Sequence, residues 1–253
     1  MRTVAIIQAR MGSARLPGKV MKGLEDVVGK PMLWHIIDRL SRSSTLNGIY
    51  LATSKNPENN PIRLLCAFEG VRMVSGSENN VLLRYYEAAS RTEADIIVRV
   101  TGDCPLVDPV FVDELVNYFK DNDCDYVDAP PSKGLIHGLN VEVFSREALE
   151  RAFVDGQDDI SREHVTPYIY RHPEIFKVLE YDAEPIYRTP DLRLCVDTAQ
   201  DLALIREIYK ALYVPGEIIN TKDAINYLIK HPELAALNRD VQQVLVSRTL
   251  DEG

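Results

Sequence analysis

Short apolar runs alternate with amphipathic helical stretches through the first half of the chain, and that rhythm leaves few folds open to it. Thr3–Gln8 (TVAIIQ) is apolar along most of its length and rich in β-branched residues, as a strand covered on both faces should be. Residues 48–53 (GIYLAT), 71–75 and 95–101 (DIIVRVT) read the same way. Between them Pro31 opens a helix running to about residue 43, with Leu33, Ile36, Ile37 and Leu40 on one face. Residues 57–68, 79–91 and 109–120 read as further helices, and 9–30 as one long polar loop. Repeated strand–helix units argue for an α/β fold, a mostly parallel sheet flanked by helices.

The second half keeps the alphabet and loses the rhythm. Residues 125–128 and 139–144 read as strands, with a helix from Ser145. Residues 192–196 read as a strand ending at Asp197, followed by an amphipathic helix over 198–213. From Thr221 the chain is helical and polar. A chain of 253 residues can bury a sizeable core as one domain spanning 1–253. Within it, the irregular stretch at about 126–190 reads as an insertion that holds a second substrate, and about 214–253 as a polar helical tail.

Composition removes several classes of function. Acidic residues outnumber basic ones, 38 to 29, so a duplex-binding face is disfavoured. No apolar run approaches the roughly 18–20 residues needed to span a bilayer. The first strand begins almost at Met1, so nothing ahead of it reads as a leader. Cys66, Cys104, Cys124 and Cys195 are scattered and form no CxxC pair, which fits buried free thiols better than disulfides or zinc binding. The expectation is a cytoplasmic protein with no nucleic-acid or membrane partner.

Two constellations carry chemistry. The first is Gln8-Ala9-Arg10-Met11-Gly12-Ser13-Ala14-Arg15-Leu16-Pro17-Gly18-Lys19, directly after the first strand. Ligands of open α/β sheets bind beyond the carboxyl ends of the strands. Glycines there admit phosphate oxygens to backbone N–H groups, and Arg10, Arg15 and Lys19 can offset most of a triphosphate's charge. The spacing matches neither a Walker A loop nor a GxGxxG dinucleotide fingerprint. The second constellation is a pair of carboxylates at strand ends: Asp103 in Thr101-Gly102-Asp103-Cys104-Pro105, and Asp197 in Cys195-Val196-Asp197-Thr198. Mg²⁺ prefers one or two carboxylates together with phosphate oxygens and water, so this pair suits it. An N-cap before the following helix is the plainer reading of Asp197.

At these residues the sequence resembles the cytidylyltransferases that make CMP-activated acidic sugars. It is most similar to the spore coat polysaccharide biosynthesis protein F branch, a relative of CMP-KDO synthetase and acylneuraminate cytidylyltransferase. The resemblance runs from Thr3 to about Tyr213, over QARMGSARLPGK, GKPML, ENNVLLRYYEAA, RVTGDCPLVDP, GLNVEVF, REHVTPYI and VDTAQDL. It implies a GT-A/Rossmann-like nucleotidyltransferase fold, with CTP as donor and Mg²⁺ as cofactor. It implies a triphosphate cradle from Ala9, Arg10, Gly12, Ser13, Arg15, Lys19 and Gly102, with Arg15, Lys19 and Asp103 catalytic. Asp103 and Asp197 would hold the metal. It also suggests a homodimer paired through the inserted segment.

The acceptor, expected to be an acidic sugar or a sugar-like molecule, is less legible. His137, Asn140 and Glu142 lie on the insertion, and Arg162, Glu163 and His164 open a helix. Glu142 alternates with Val141 and Val143 and so projects away from the core, toward a pocket or plain surface. Arg188 could meet an acidic substrate, and Tyr168–Tyr170 reads as core or interface. Three alternatives stay open: a glycosyltransferase using a nucleotide sugar, although a DxD motif is missing; a transferase of another nucleotide; and a non-catalytic binding module.

Overall fold

The structure, a computed structural model, describes residues 1–189, 191–242 and 246–248. In chain order it runs β1 (Thr3–Gln8), α1 (Lys19–Lys22), α2 (Glu25–Val28), α3 (Met32–Leu40), β2 (Gly48–Ser54), α4 (Asn60–Phe68), β3 (Arg72–Gly76), α5 (Val81–Thr92), β4 (Ile96–Thr101) and α6 (Pro109–Asp121). There follow β5 (Tyr126–Asp128), β6 (Glu142–Ser145), α7 (Arg146–Asp155), α8 (Asp159–His164), α9 (Pro167–Tyr170), β7 (Val178–Glu180), α10 (Ala199–Leu212), α11 (Thr221–Lys230) and α12 (Pro232–Ala235).

The strands form one seven-stranded sheet in the order β3-β2-β1-β4-β6-β5-β7. β1 pairs in parallel with β2 and β4, β2 with β3, and β5 with β7. Only β6 runs the other way, antiparallel to both β4 and β5. The carboxyl ends of β1, β4 and β5 and the amino end of β6 therefore share one edge of the sheet.

Two apolar cores cover the faces, and β1 feeds both by strict alternation. Ala5 and Ile7 pack with α3, α6 and α10, while Val4 and Ile6 pack with α5 and α7. Each fully buried aliphatic side chain of this kind contributes roughly 1.5–3 kcal/mol. This two-sided burial explains why the strands read as continuous apolar runs.

Four local expectations need correction. Residues 9–30 are not all loop: α1 and α2 form there, each bordered by a glycine in the left-handed region, Gly18 at φ 73° and Gly29 at φ 71°. Residues 139–141 stay outside β6. Residues 162–164 end α8 rather than open a helix, because Asp158 caps its start by accepting from Ser161 N at 2.9 Å.

The fourth correction matters most. Residues 192–196 form no strand, and their one bridge joins His137 to Arg193. The segment is wedged between two loops: Leu194 N donates to His137 O at 2.7 Å, and Val196 N to Asp103 O at 2.8 Å. A Cβ on Gly138 would lie 2.4 Å from Leu194 C and Cys195 N, so only glycine allows this backbone-on-backbone approach.

The tail is polar outside and anchored inside. Thr221, Ala224, Ile225 and Leu228 are buried on α11. The buried Arg39 guanidinium donates to Val107 O, Ile219 O and Thr221 Oγ1 at 2.5–2.7 Å, tying the tail to α3 and α6. Among the described residues no helix is long and apolar enough to cross a membrane.

Candidate active site

β1 and β4 converge at their carboxyl ends. Gly102 N donates to Gln8 O at 2.8 Å, and a Cβ on Gly102 would sit 2.8 Å from Ala9 Cβ. The absence of a side chain at 102 thus lets the first loop and the Asp103 loop start side by side. The first loop then folds on itself, with Ser13 N and Gly18 N both donating to Met11 O at 2.9 Å. Asn59 Oδ1 accepts from Met11 N at 2.8 Å and pins its crest. Arg10 reaches Glu78 Oε1 at 2.9 Å.

Lys19, at the start of α1, points back under this loop. Its Nζ lies 2.9 Å from Asp103 Oδ2, 2.9 Å from Asp197 Oδ1 and 2.6 Å from Val196 O. Two loops far apart in sequence therefore meet on one ammonium that is only 9% exposed. Burial opposes the charge, but Asp103 and Asp197 outweigh it and raise the lysine pKa above its ordinary value.

Asp197 is the most heavily paired carboxylate of the group. Arg15 stands 3.0 Å from the Oδ1 that Lys19 also holds, and Arg193 lies 2.7 Å from Oδ2. Burial works against the carboxylate, yet Lys19, Arg15 and Arg193 hold its pKa down to about 2. The helix cap is supplied by its neighbour: Thr198 and Asp201 form a reciprocal capping box on α10. Asp197 is thereby released from the capping role that its position suggested.

The two carboxylates differ as donors for a hard divalent ion. The Asp103 side chain is 23% exposed, and its Oδ1 meets no cation among the described residues, only the Cys104 thiol as a hydrogen-bond partner at 3.7 Å. Asp197 is 10% exposed and uses both oxygens on cations. An oxygen-seeking ion fits at Asp103 as it stands, and at Asp197 once Lys19 and Arg15 turn away. His137 joins this side of the site. Its ring nitrogen, the Cys195 sulfur and an Asp197 oxygen lie within 4.8 Å of one another.

The other predicted acceptor residues sit farther along the same sheet edge. Glu142 is neither free surface nor a free pocket wall. It forms a close ion pair with Arg99 and accepts from Tyr126 OH at 2.8 Å and Thr166 Oγ1 at 2.6 Å. Burial opposes its charge, and Arg99 overcomes that and lowers the pKa. Arg99 also donates to Gln8 Oε1 at 3.3 Å, which links this network to the first loop. His164 faces the same groups: burial lowers its pKa, with Glu163 and Glu142 opposing and Arg99 assisting.

Arg162 turns aside to Gln157 at 2.8 Å and Arg188 to Asp182 at 2.8 Å, so neither joins the cluster. Asn140 accepts from Gly138 N at 3.2 Å and shapes its own turn. Tyr168 packs on His172 and Tyr170 on Tyr126, with Ile169 buried between them, as a core reading requires.

Sequence reasoning missed Arg99, Arg193, Asp128 and Arg248. Arg248 forks onto the buried Asp128 at 2.7 and 3.2 Å and lies over the Tyr170 ring at 4.6 Å. Arg99 did leave a signal, a cation inside an otherwise apolar strand.

Comparison with known proteins bears on the family and the fold. A family model described as cytidylyltransferase matches residues 4–222. An uncharacterised protein of Methanocaldococcus jannaschii is 38% identical over 245 residues, spanning 96% of this chain and 97% of the relative. The spore coat polysaccharide biosynthesis protein SpsF of Bacillus subtilis is 32% identical over 240 residues, spanning 91% and 95%. Among solved structures, a cytidylyltransferase from Leptospira borgpetersenii superposes with a TM-score of 0.85 at 28% identity, covering 97% of this chain and all of that one.

Proposed function

The chain belongs to the cytidylyltransferase family, and on that premise we propose that it transfers CMP from CTP to an acidic sugar or sugar-like acceptor, releasing pyrophosphate, with Mg²⁺ as cofactor. The observation that carries the proposal is Lys19 Nζ held 2.9 Å from both Asp103 and Asp197, beneath a basic loop at the carboxyl edge of the sheet. In the structure these charges satisfy one another. A triphosphate gives Arg15 and Lys19 new anionic partners, and their departure leaves carboxylate oxygens free for a divalent ion.

An oxygen of the acceptor attacks the α-phosphorus in line, and the bond to pyrophosphate breaks. The backbone N–H groups of Arg10 and Gly12 approach the phosphates, with Gly102 opening the way, while those of Ala9, Met11 and Ser13 hold the loop in shape on Ala52 O, Asn59 Oδ1 and Met11 O. Arg10, Arg15 and Lys19 offset the charge that gathers on the leaving group. Asp103 and Asp197 would hold Mg²⁺, which would supply Lewis-acid neutralisation of the phosphate oxygens. Glu142, His164 and the Arg99 pair sit where an acceptor can be oriented, next to the first loop. The closed hydrogen bonds of Glu142 and Arg99 suit a rigid wall better than a proton shuttle. Cytoplasmic location and a homodimer complete the proposal and rest on the family likeness.

The test is thermal stabilisation by CTP, UTP, GTP and ATP, each with and without Mg²⁺. A ligand at 100 times its Kd stabilises by about 2.7 kcal/mol, a shift of several degrees. The expected result is a CTP-selective shift, enhanced by Mg²⁺ and lost in Asp103→Asn. A shift with another nucleotide would change the donor, and silence with all four would sink the proposal.

A further inference from the structure

Two thiols lie beneath the carboxylates that bracket Lys19, and nucleotide transfer gives them no work. Cys104 directly follows Asp103, and Cys195 lies two residues before Asp197. Both side chains are buried, and the two sulfurs lie within 4.8 Å of each other. Each also leans on the adjacent carboxylate: Cys104 Sγ is 3.7 Å from Asp103 Oδ1, and Cys195 Sγ is 3.6 Å from Asp197 Oδ2.

The donor atoms converge. An Asp103 oxygen and the sulfurs of Cys104 and Cys195 all lie within 4.8 Å of one another. Cys195 belongs as well to the second triad, with His137 and Asp197. Among the described residues neither ring nitrogen of His137 has a hydrogen-bond partner, although both are buried. Leaving such atoms unsatisfied is unfavourable, so an imidazole in this state is a ligand in want of something to bind.

We propose that Cys104, Cys195 and Asp103, with His137 beside Cys195 as the fourth donor, form a site for a thiophilic divalent ion such as Zn²⁺. Thiolate and imidazole donors select zinc over magnesium, so the ligand chemistry differs from that of the transfer reaction. Zinc bonds of about 2.0–2.3 Å place the donors of a tetrahedral site within about 4 Å of each other, and the triad needs only a small contraction to reach that. Charge also balances. Two thiols lose two protons as the ion enters, so its two positive charges meet two thiolates and the net charge beside Lys19, Arg15 and Arg193 is unchanged. Occupation ties up Asp103, so the ion antagonises CTP. This last step rests on the proposed function, whereas the ligand set stands without it.

Cd²⁺, whose thiolate complexes absorb in the ultraviolet, is the probe for the full-length chain. The expected result is one ion per chain, a sulfur-to-metal absorption band and two protons released per ion. The band should survive Cys66→Ser combined with Cys124→Ser and disappear in Cys104→Ser and in Cys195→Ser. Absence of the band in the unaltered chain, or release of fewer than two protons, overturns the site whether or not a variant folds. A band that persists without Cys104 and Cys195 also overturns it. Zn²⁺ should then weaken CTP binding in Mg²⁺ at least tenfold, and unchanged CTP affinity removes the antagonism. The band needs no nucleotide, so its failure and that of the cytidylyltransferase reading are told apart.

Discussion

Two charged clusters occupy the same edge of the sheet, one around Arg99 on β4 and the other around Lys19 and Asp103 just beyond the end of that strand, and they are built to opposite ends. Around Lys19, four side chains share interchangeable partners: Arg15, half exposed, and Lys19 both hold one oxygen of Asp197, and Asp103 keeps an open face. Around Arg99, every partner is fixed. Glu142 takes the guanidinium and two hydroxyls, and neither ionic side chain is more than 14% exposed. Both clusters are similarly buried, Lys19 and Asp197 being 9% and 10% exposed, so what sets the first apart is that two cations share one carboxylate oxygen, and on the proposed function phosphate takes their place. An ion pair is a switch or a strut according to whether a competing ligand can enter, and charge alone does not distinguish the two.

The sharpest way to break this contrast is Glu142→Ala. It strands Arg99 and leaves the Tyr126 and Thr166 hydroxyls without their acceptor, so urea denaturation should show a loss of about 3–5 kcal/mol. Glu142→Gln, which keeps the acceptor oxygen, should lose less. A loss within the roughly 0–1 kcal/mol of a surface pair would mean that the second cluster is no strut.

How much of this was readable beforehand follows from the range of the interactions involved. The β1–β4 strands and the helices between them were legible because burial on two faces writes itself into local composition, as in Thr3–Gln8. The first loop was legible because its glycines and cations are contiguous. Residues 192–196 misled because an apolar run records burial and not pairing, and what buries Leu194 and Cys195 is a loop near His137. Glu142 misled for a related reason. Alternation placed it off the apolar core correctly, but its Arg99 partner comes from a neighbouring strand in antiparallel register. Arg248 reaches Asp128 across 120 residues, a distance at which local pattern carries no information.

Acid titration sharpens the contrast on the other side. The Asp197 pKa is depressed from 3.8 to about 2, so its contribution is complete above the unfolded value and disappears as the pH falls from about 4 to 2. That shift corresponds to about 2 kcal/mol. The stability difference between the native chain and Asp197→Asn should therefore narrow by about that much between pH 5 and pH 2. A gap independent of pH would mean that Lys19, Arg15 and Arg193 do not act on Asp197 as their distances imply.

The smallest effect probes why Asp197 is available at all. Thr198 caps α10 and Asp201 closes the box by accepting from the backbone N–H groups of 197 and 198 at 2.9 and 2.8 Å. Thr198→Ala should lower stability by about 1 kcal/mol, the usual worth of a cap. If the capping box only terminates a helix, the CTP-induced thermal shift in Mg²⁺ stays as large as in the native chain. Should the shift fall together with stability, Asp197 has moved in to cap the helix. The exchangeable cluster then depends on a neighbour that touches neither phosphate nor metal.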